Sequence, residues 1–271
     1  MTRAFGIFSL AVILFLSGCY GSFMDGQREK KQTITVAGST SVMPFTEKLA
    51  EHFMVDHPQF VIDVQGGGST AGIQACMNRT VNIGMSSRQL KEDEMVLKET
   101  VICFDGISIV VHPKNPVGQL TLTQVADIYA GRITRWSELG WVDRKIDIIT
   151  REEGSGTRGS FEDLVMKKLD IDDSIMVQDS NGSVREIVAT DPYALGYISM
   201  GLVDKRVKVL AVDGILPTVD NIKAKRYRIV RPFLYLTNED STANVKTFID
   251  YVLNKDGQRI LRKEGLISVN D

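Results

Sequence analysis

At three places in this chain a short apolar run breaks into a glycine- and hydroxyl-rich turn and then resumes as a helical pattern. The turns are Gly38-Ser39-Thr40-Ser41, Gly66-Gly67-Gly68-Ser69-Thr70 and Gly154-Ser155-Gly156-Thr157. Strands that alternate with helices in this way give α/β architecture with mainly parallel sheets. Ligands of such sheets sit beyond the carboxyl ends of the strands, where these turns fall. Glycine lets backbone N–H groups approach a ligand closely. Ser and Thr add hydroxyl donors, and a following helix start adds free N–H groups and partial positive charge. With Arg151 just upstream of the third turn, the three read as parts of one site for a small oxyanion.

The pattern along the rest of the chain supports that reading. Thr33–Val36, Phe60–Val64, Val81–Met85 and Ile146–Thr150 read as strands, with short ones at Gly196–Ser199 and Val207–Val209. Gly106–His112 is an almost continuous apolar run, as expected of a strand buried on both faces. Arg228–Leu236 reads as a longer strand. Helical periodicity covers Val42–Val55, Ala71–Asn78, Thr123–Tyr129, Thr157–Lys168, Val184–Ala189 and Ala243–Asn254. The Ser180-Asn181-Gly182-Ser183 turn before a helix looks like a fourth anion turn, but is read as a helix cap. Trp136 and Trp141 read as packing residues, and Arg88 and Arg158 as salt-bridge partners.

The start of the chain points to export. Arg3 precedes an apolar stretch from Ala4 to Leu16, too short to span a bilayer, which needs about 20 apolar residues. Leu16-Ser17-Gly18-Cys19 follows and resembles a bacterial lipobox, with Cys19 as the lipid-modified residue. Residues 1–18 are thus expected to be a lipoprotein signal peptide and residues 19–32 a polar tether. The folded body would face the periplasm or the cell exterior, held to the membrane by its lipid (palmitate among the acyl groups).

Several classes are excluded by composition. The formal net charge of −2 becomes −3 when Arg3 leaves, so nucleic acid is not a partner. Cys76 and Cys103 either pair or stay as buried thiols; the sequence leaves both open. Their spacing does not suit zinc, and no metal site is expected. A hydrolase elbow fails because Gly67-Gly68-Ser69-Thr70-Ala71 ends in Ala and no histidine accompanies it. A P-loop fails because Gly159 is followed by Ser160 rather than Lys. The chain is not read as an enzyme.

In order and spacing, Thr35-Val36-Ala37-Gly38-Ser39-Thr40-Ser41-Val42-Met43-Pro44, Gln65-Gly66-Gly67-Gly68-Ser69, Ile83-Gly84-Met85-Ser86-Ser87-Arg88 and Arg151-Glu152-Glu153-Gly154-Ser155-Gly156-Thr157-Arg158 resemble bacterial phosphate-binding proteins. These are the extracytoplasmic components of phosphate ABC importers. The likeness runs from about Thr33 to the C-terminus and includes Tyr227-Arg228-Ile229-Val230-Arg231-Pro232-Phe233. It implies a two-lobed type II periplasmic-binding-protein fold, with two crossing strands and a central cleft. Lobe one would comprise residues 33–108 and 233–271, and lobe two residues 109–232. It implies that Thr40, Ser41, Ser69, Ser87, Arg151, Ser155, Gly156 and Thr157 bind inorganic phosphate. No cofactor is implied; the partners would be ABC permease subunits, and the protein a monomer. In a familiar version of the family an aspartate accepts the phosphate proton at the position of Ser87. Glu153 or Asp105 could supply that acceptor instead. The alternatives are a receptor for sulfate, molybdate or tungstate, or a phosphate-sensing surface lipoprotein.

Overall fold

Two sets of three parallel strands lie at opposite ends of one continuous sheet, and two antiparallel strands in the middle join them. The computed structural model describes residues 31–271. The expected signal peptide, most of the expected tether and Cys19 lie outside the described residues.

In chain order the elements are β1 (Gln32–Gly38), α1 (Met43–Asp56), β2 (Phe60–Gly66), α2 (Ser69–Met77), β3 (Ile83–Ser86), β4 (Lys98–Val111), β5 (Gln119–Leu120) and α3 (Leu122–Tyr129). There follow β6 (Asp147–Arg151), α4 (Gly156–Phe161), β7 (Met176–Gln178), α5 (Asn181–Thr190), β8 (Ala194–Ser199), β9 (Lys208–Val209) and β10 (Ala211–Val212). The last are α6 (Val219–Lys223), β11 (Val230–Thr237), α7 (Ala243–Leu253), α8 (Lys255–Lys263) and β12 (Ile267–Ser268).

Along the main sheet the strand order is β2-β1-β3-β11-β4-β8-β6-β7. Pairing is parallel in β2-β1-β3 and in β8-β6-β7. Every antiparallel pairing between named strands involves β4 or β11. These two are the crossing strands of a two-lobed α/β fold. β4 pairs with β11 over Lys98–Gly106 and with β8 over Ile107–Val111.

Each lobe has its own apolar core. One gathers Val36, Phe45, Phe53, Met85, Phe233 and Phe248; the other gathers Ile109, Val125, Tyr129, Trp136, Phe161 and Tyr197. β4 feeds both, giving Ile102 and Cys103 to the first and Ile107, Ile109 and Val111 to the second. In α1, Phe45, Leu49 and Phe53 recur every fourth residue and face inward. Pro44 in its first turn has no N–H to waste there.

The structure departs from sequence expectation at several boundaries. β4 starts eight residues before Gly106, because Lys98, Glu99, Thr100 and Asp105 hide the strand signal behind polar side chains. The helix expected over Thr157–Lys168 is α-helical only to Phe161 and continues as a π-helical turn over Glu162–Met166. Trp136 and Trp141 do pack together, with ring centroids 5.6 Å apart. Cys76 and Cys103 are both free, buried thiols, and burial pushes the pKa of each upward. Among the described residues, no helix is long and apolar enough to cross a membrane.

Candidate oxyanion site

Four loop-to-helix junctions meet where the lobes face each other. The first leaves β1 at Gly38, where a Cβ would lie 2.3 Å from the Met85 carbonyl oxygen, so only glycine fits. Ser39 Oγ then accepts from the backbone N–H groups of Ser41 (3.3 Å) and Val42 (3.4 Å). With its lone pairs so engaged, Ser39 donates its own proton to Ser87 Oγ at 2.9 Å. Ser87 in turn donates its backbone N–H to Ser69 Oγ (3.1 Å), in the first turn of α2. The two hydroxyls, Ser69 Oγ and Ser87 Oγ, are 3.4 Å apart. Ser39, Ser41, Ser69 and Ser87 are all buried.

The opposite wall comes from the loop after β6. Ser155 caps α4, its hydroxyl accepting from the Arg158 N–H at 3.3 Å. Thr157 Oγ1 lies 2.7 Å from Ser41 Oγ, and the Thr70 N–H donates to the Gly154 carbonyl at 3.1 Å. The lobes therefore touch directly through the site. Gly156 permits this approach: a Cβ there would fall 2.2 Å from Ser69 Oγ and 2.6 Å from Ser87 Oγ. Gly156→Ala should therefore hold the lobes apart, leaving the free protein folded but weakening anion binding at least about tenfold, a change of 1.4 kcal/mol. Calorimetric titration beside a thermal melt would check it, and an unchanged affinity would mean that the closed contact is not used in binding.

Arg151 ends β6 and is 1% exposed. Its Nε donates to Glu152 Oε2 (3.0 Å) and to the Gln178 carbonyl (3.1 Å). Its Nη2 donates to Thr40 Oγ1 (3.2 Å), Glu152 Oε1 (2.9 Å) and the Asp179 carbonyl (2.8 Å). Nη1 is buried and, among the described residues, has no hydrogen-bond partner. A buried guanidinium nitrogen without an acceptor is costly, so a protein that keeps one has a use for its protons.

All eight residues expected at the site are brought together: Thr40, Ser41, Ser69, Ser87, Arg151, Ser155, Gly156 and Thr157. The hydroxyl of Ser155, however, is engaged as a helix cap. Neither candidate for the missing proton acceptor is at hand. Glu153 is exposed, and Asp105 lies beneath the site with Oδ2 held by Arg231 Nε (3.0 Å) and Nη2 (2.9 Å) and Oδ1 by the Ser199 hydroxyl (2.8 Å). Burial pushes the Asp105 carboxyl up and the Arg231 guanidinium down in pKa, and each opposes that shift in the other by its charge. Arg88 and Arg158 form the salt bridges expected of them. Arg88 pairs with Glu94 through both nitrogens (2.6 and 2.7 Å), and Arg158 pairs with Glu162 at 2.7 Å.

Sequence reasoning assigned no role to Ser39, Asn181, Ser199 or Arg231, which the structure joins to these residues. Ser180 does cap α5, accepting from the Ser183 N–H at 3.0 Å. Its neighbour Asn181, though, reaches across the cleft to donate to Ser41 Oγ at 2.7 Å. Among the described residues there is no cluster of His, Cys, Asp or Glu able to hold a metal ion.

The profile of the PBP superfamily domain matches residues 25–256. The phosphate-binding protein PstS of Bacillus subtilis is 31% identical over 252 residues, covering 91% of this chain and 84% of its own. The chain belongs to the PBP superfamily, among its phosphate-binding proteins. Two solved members of this family superpose closely. A Clostridium perfringens protein, described as a phosphate ABC transporter substrate-binding protein with bound phosphate, is 40% identical with a TM-score of 0.86, over 88% of this chain and all of its own. An ABC-type phosphate transport receptor of Vibrio cholerae is 38% identical with a TM-score of 0.73, again over 88% of this chain and all of its own.

Proposed function

We propose that the protein captures inorganic phosphate in the cleft between its lobes and delivers it to the permease of an ABC importer. The observation that carries this reading is Arg151 Nη1, a buried donor without a partner among the described residues, on a guanidinium whose Nη2 reaches the Thr40 hydroxyl of the opposite lobe. Thr40, Ser41, Ser69, Ser87, Gly156 and Thr157 line the phosphate with Arg151. Ser155 contributes through the backbone of the turn it caps.

A phosphate anion stripped of water needs a donor for nearly every lone pair. Each hydrogen bond to a charged group contributes about 1.5–3 kcal/mol net, so a full set can offset dehydration and closure. A remainder of about 8–12 kcal/mol corresponds to micromolar to nanomolar affinity. The reaction is capture without chemistry, closed by a hinge motion of the lobes about β4 and β11. The lobes are residues 33–108 with 233–271, and 109–232. The body works outside the cytoplasm as a monomer, anchored through a lipid on Cys19.

Calorimetric titration of the phosphate-free protein should find one site per chain for phosphate, with sulfate far weaker. Equal affinity for the two anions would replace phosphate by tetrahedral oxyanions at large, with molybdate and tungstate the next to test.

A further inference from the structure

Asn181 is the first residue of α5, and its side chain is buried. Its Oδ1 accepts the backbone N–H of Ser199 at 3.0 Å. A backbone N–H can only donate, so the amide cannot be flipped, and Nδ2 must face the other way. There it donates to Ser41 Oγ, on the opposite lobe, at 2.7 Å. Ser41 Oγ is also 2.7 Å from Thr157 Oγ1.

The pair of hydroxyls holds two protons. One is consumed in the bond between them, and Asn181 supplies a third to Ser41 from outside. Whichever hydroxyl donates to the other, one hydroxyl proton is left to point at a third group, because Asn181 offers no acceptor. We propose that Asn181 is a positioning residue: by donating to Ser41 and offering it no acceptor, it leaves one proton of the Ser41–Thr157 pair as a dedicated donor to the bound anion, whichever hydroxyl donates to the other. This rests on the phosphate reading above.

The arrangement is anchored in the crossing strands. Ser199, at the end of β8, donates its hydroxyl to Asp105 of β4 at 2.8 Å, and Asp105 is held by Arg231 of β11. Arg231 also donates Nη1 to the Ser87 carbonyl at 3.3 Å. The amide that keeps this proton free is thus fixed from the same strands about which the lobes move.

N181D is the sharpest test, since it keeps the acceptor for Ser199 and replaces the donor facing Ser41 by an acceptor. Ser41 would then give its proton to residue 181, Thr157 would give its own to Ser41, and none would remain for the anion. Calorimetric titration with inorganic phosphate should show a loss of at least about tenfold for N181D. N181A should lose less in the wild-type background, and no more than about threefold once Ser41 is already alanine, because its effect passes through Ser41. The N181A/S41A cycle decides the matter alone if N181D fails to fold. An N181D affinity within about threefold of wild type, or an N181A loss equal with and without Ser41, overturns the proposal. If the wild-type chain itself binds no phosphate, the reading of function falls with it; if wild type binds and the variants match it, only this inference falls.

Discussion

Arg151→Ala should weaken phosphate binding by about 2–3 kcal/mol, a factor of roughly thirty to more than a hundred, while leaving the fold intact. The expectation follows from how the guanidinium is spent. Two of its nitrogens are tied to Glu152, Thr40 and the carbonyls of Gln178 and Asp179, and the third is buried with its protons unused. Those ties fix the plane of the fork before any anion arrives, so little rotamer freedom is left to lose on binding. Arg151→Lys should recover only part of the loss, because an ammonium keeps the charge but cannot hold Thr40, Glu152 and an anion at once. Titration calorimetry separates the cases. A loss below tenfold for the alanine variant would place Arg151 outside the site.

The second large effect is on stability. Asp105→Ala should destabilise the protein by about 3–5 kcal/mol, because it strands the Arg231 guanidinium in the sheet. Arg231 is 2% exposed and Asp105 wholly buried, and among the described residues no other carboxylate bonds to Arg231. Urea denaturation would read the loss as a lower midpoint at unchanged slope. The same reasoning makes a prediction about the pair. Replacing Asp105 by Leu and Arg231 by Met together should cost much less than the single change, since two desolvated charges leave at once. A double variant as unstable as Asp105→Ala would show that the pair matters through its links to Ser199 and Ser87 rather than through its charge.

The parts of this molecule that were legible in the sequence are those governed by local rules. β1, α1 and β2 announce themselves through alternating or fourfold apolar spacing, and the three turns through glycines and hydroxyls at strand ends. The first half of β4 was hidden because Asp105, a polar residue inside a strand, is satisfied by Ser199 and Arg231, 94 and 126 positions away. Asn181 was hidden for a related reason. A Ser-Asn-Gly-Ser turn is a sufficient helix start on its own, and the cap it provides masks the side chain that crosses the cleft. Ser39 looked like one hydroxyl among several, yet its bond to Ser87 joins turns that are far apart in the chain. Periodicity reports which face of an element is buried; it is silent on which polar groups find each other there. The family resemblance named most of the residues that meet here but not these connecting ones, for which only the spatial neighbours give a reason.

The path of β4 has a consequence for how such a protein can change over time. Its first nine residues are stitched to β11, its last five to β8, and it lends side chains to both apolar cores. A lobe cannot be lifted out as a cassette and exchanged for that of a distant relative, because any cut severs a ribbon that both halves need in order to fold. Novelty in specificity must therefore come by single replacements in the turns, within a chassis inherited whole.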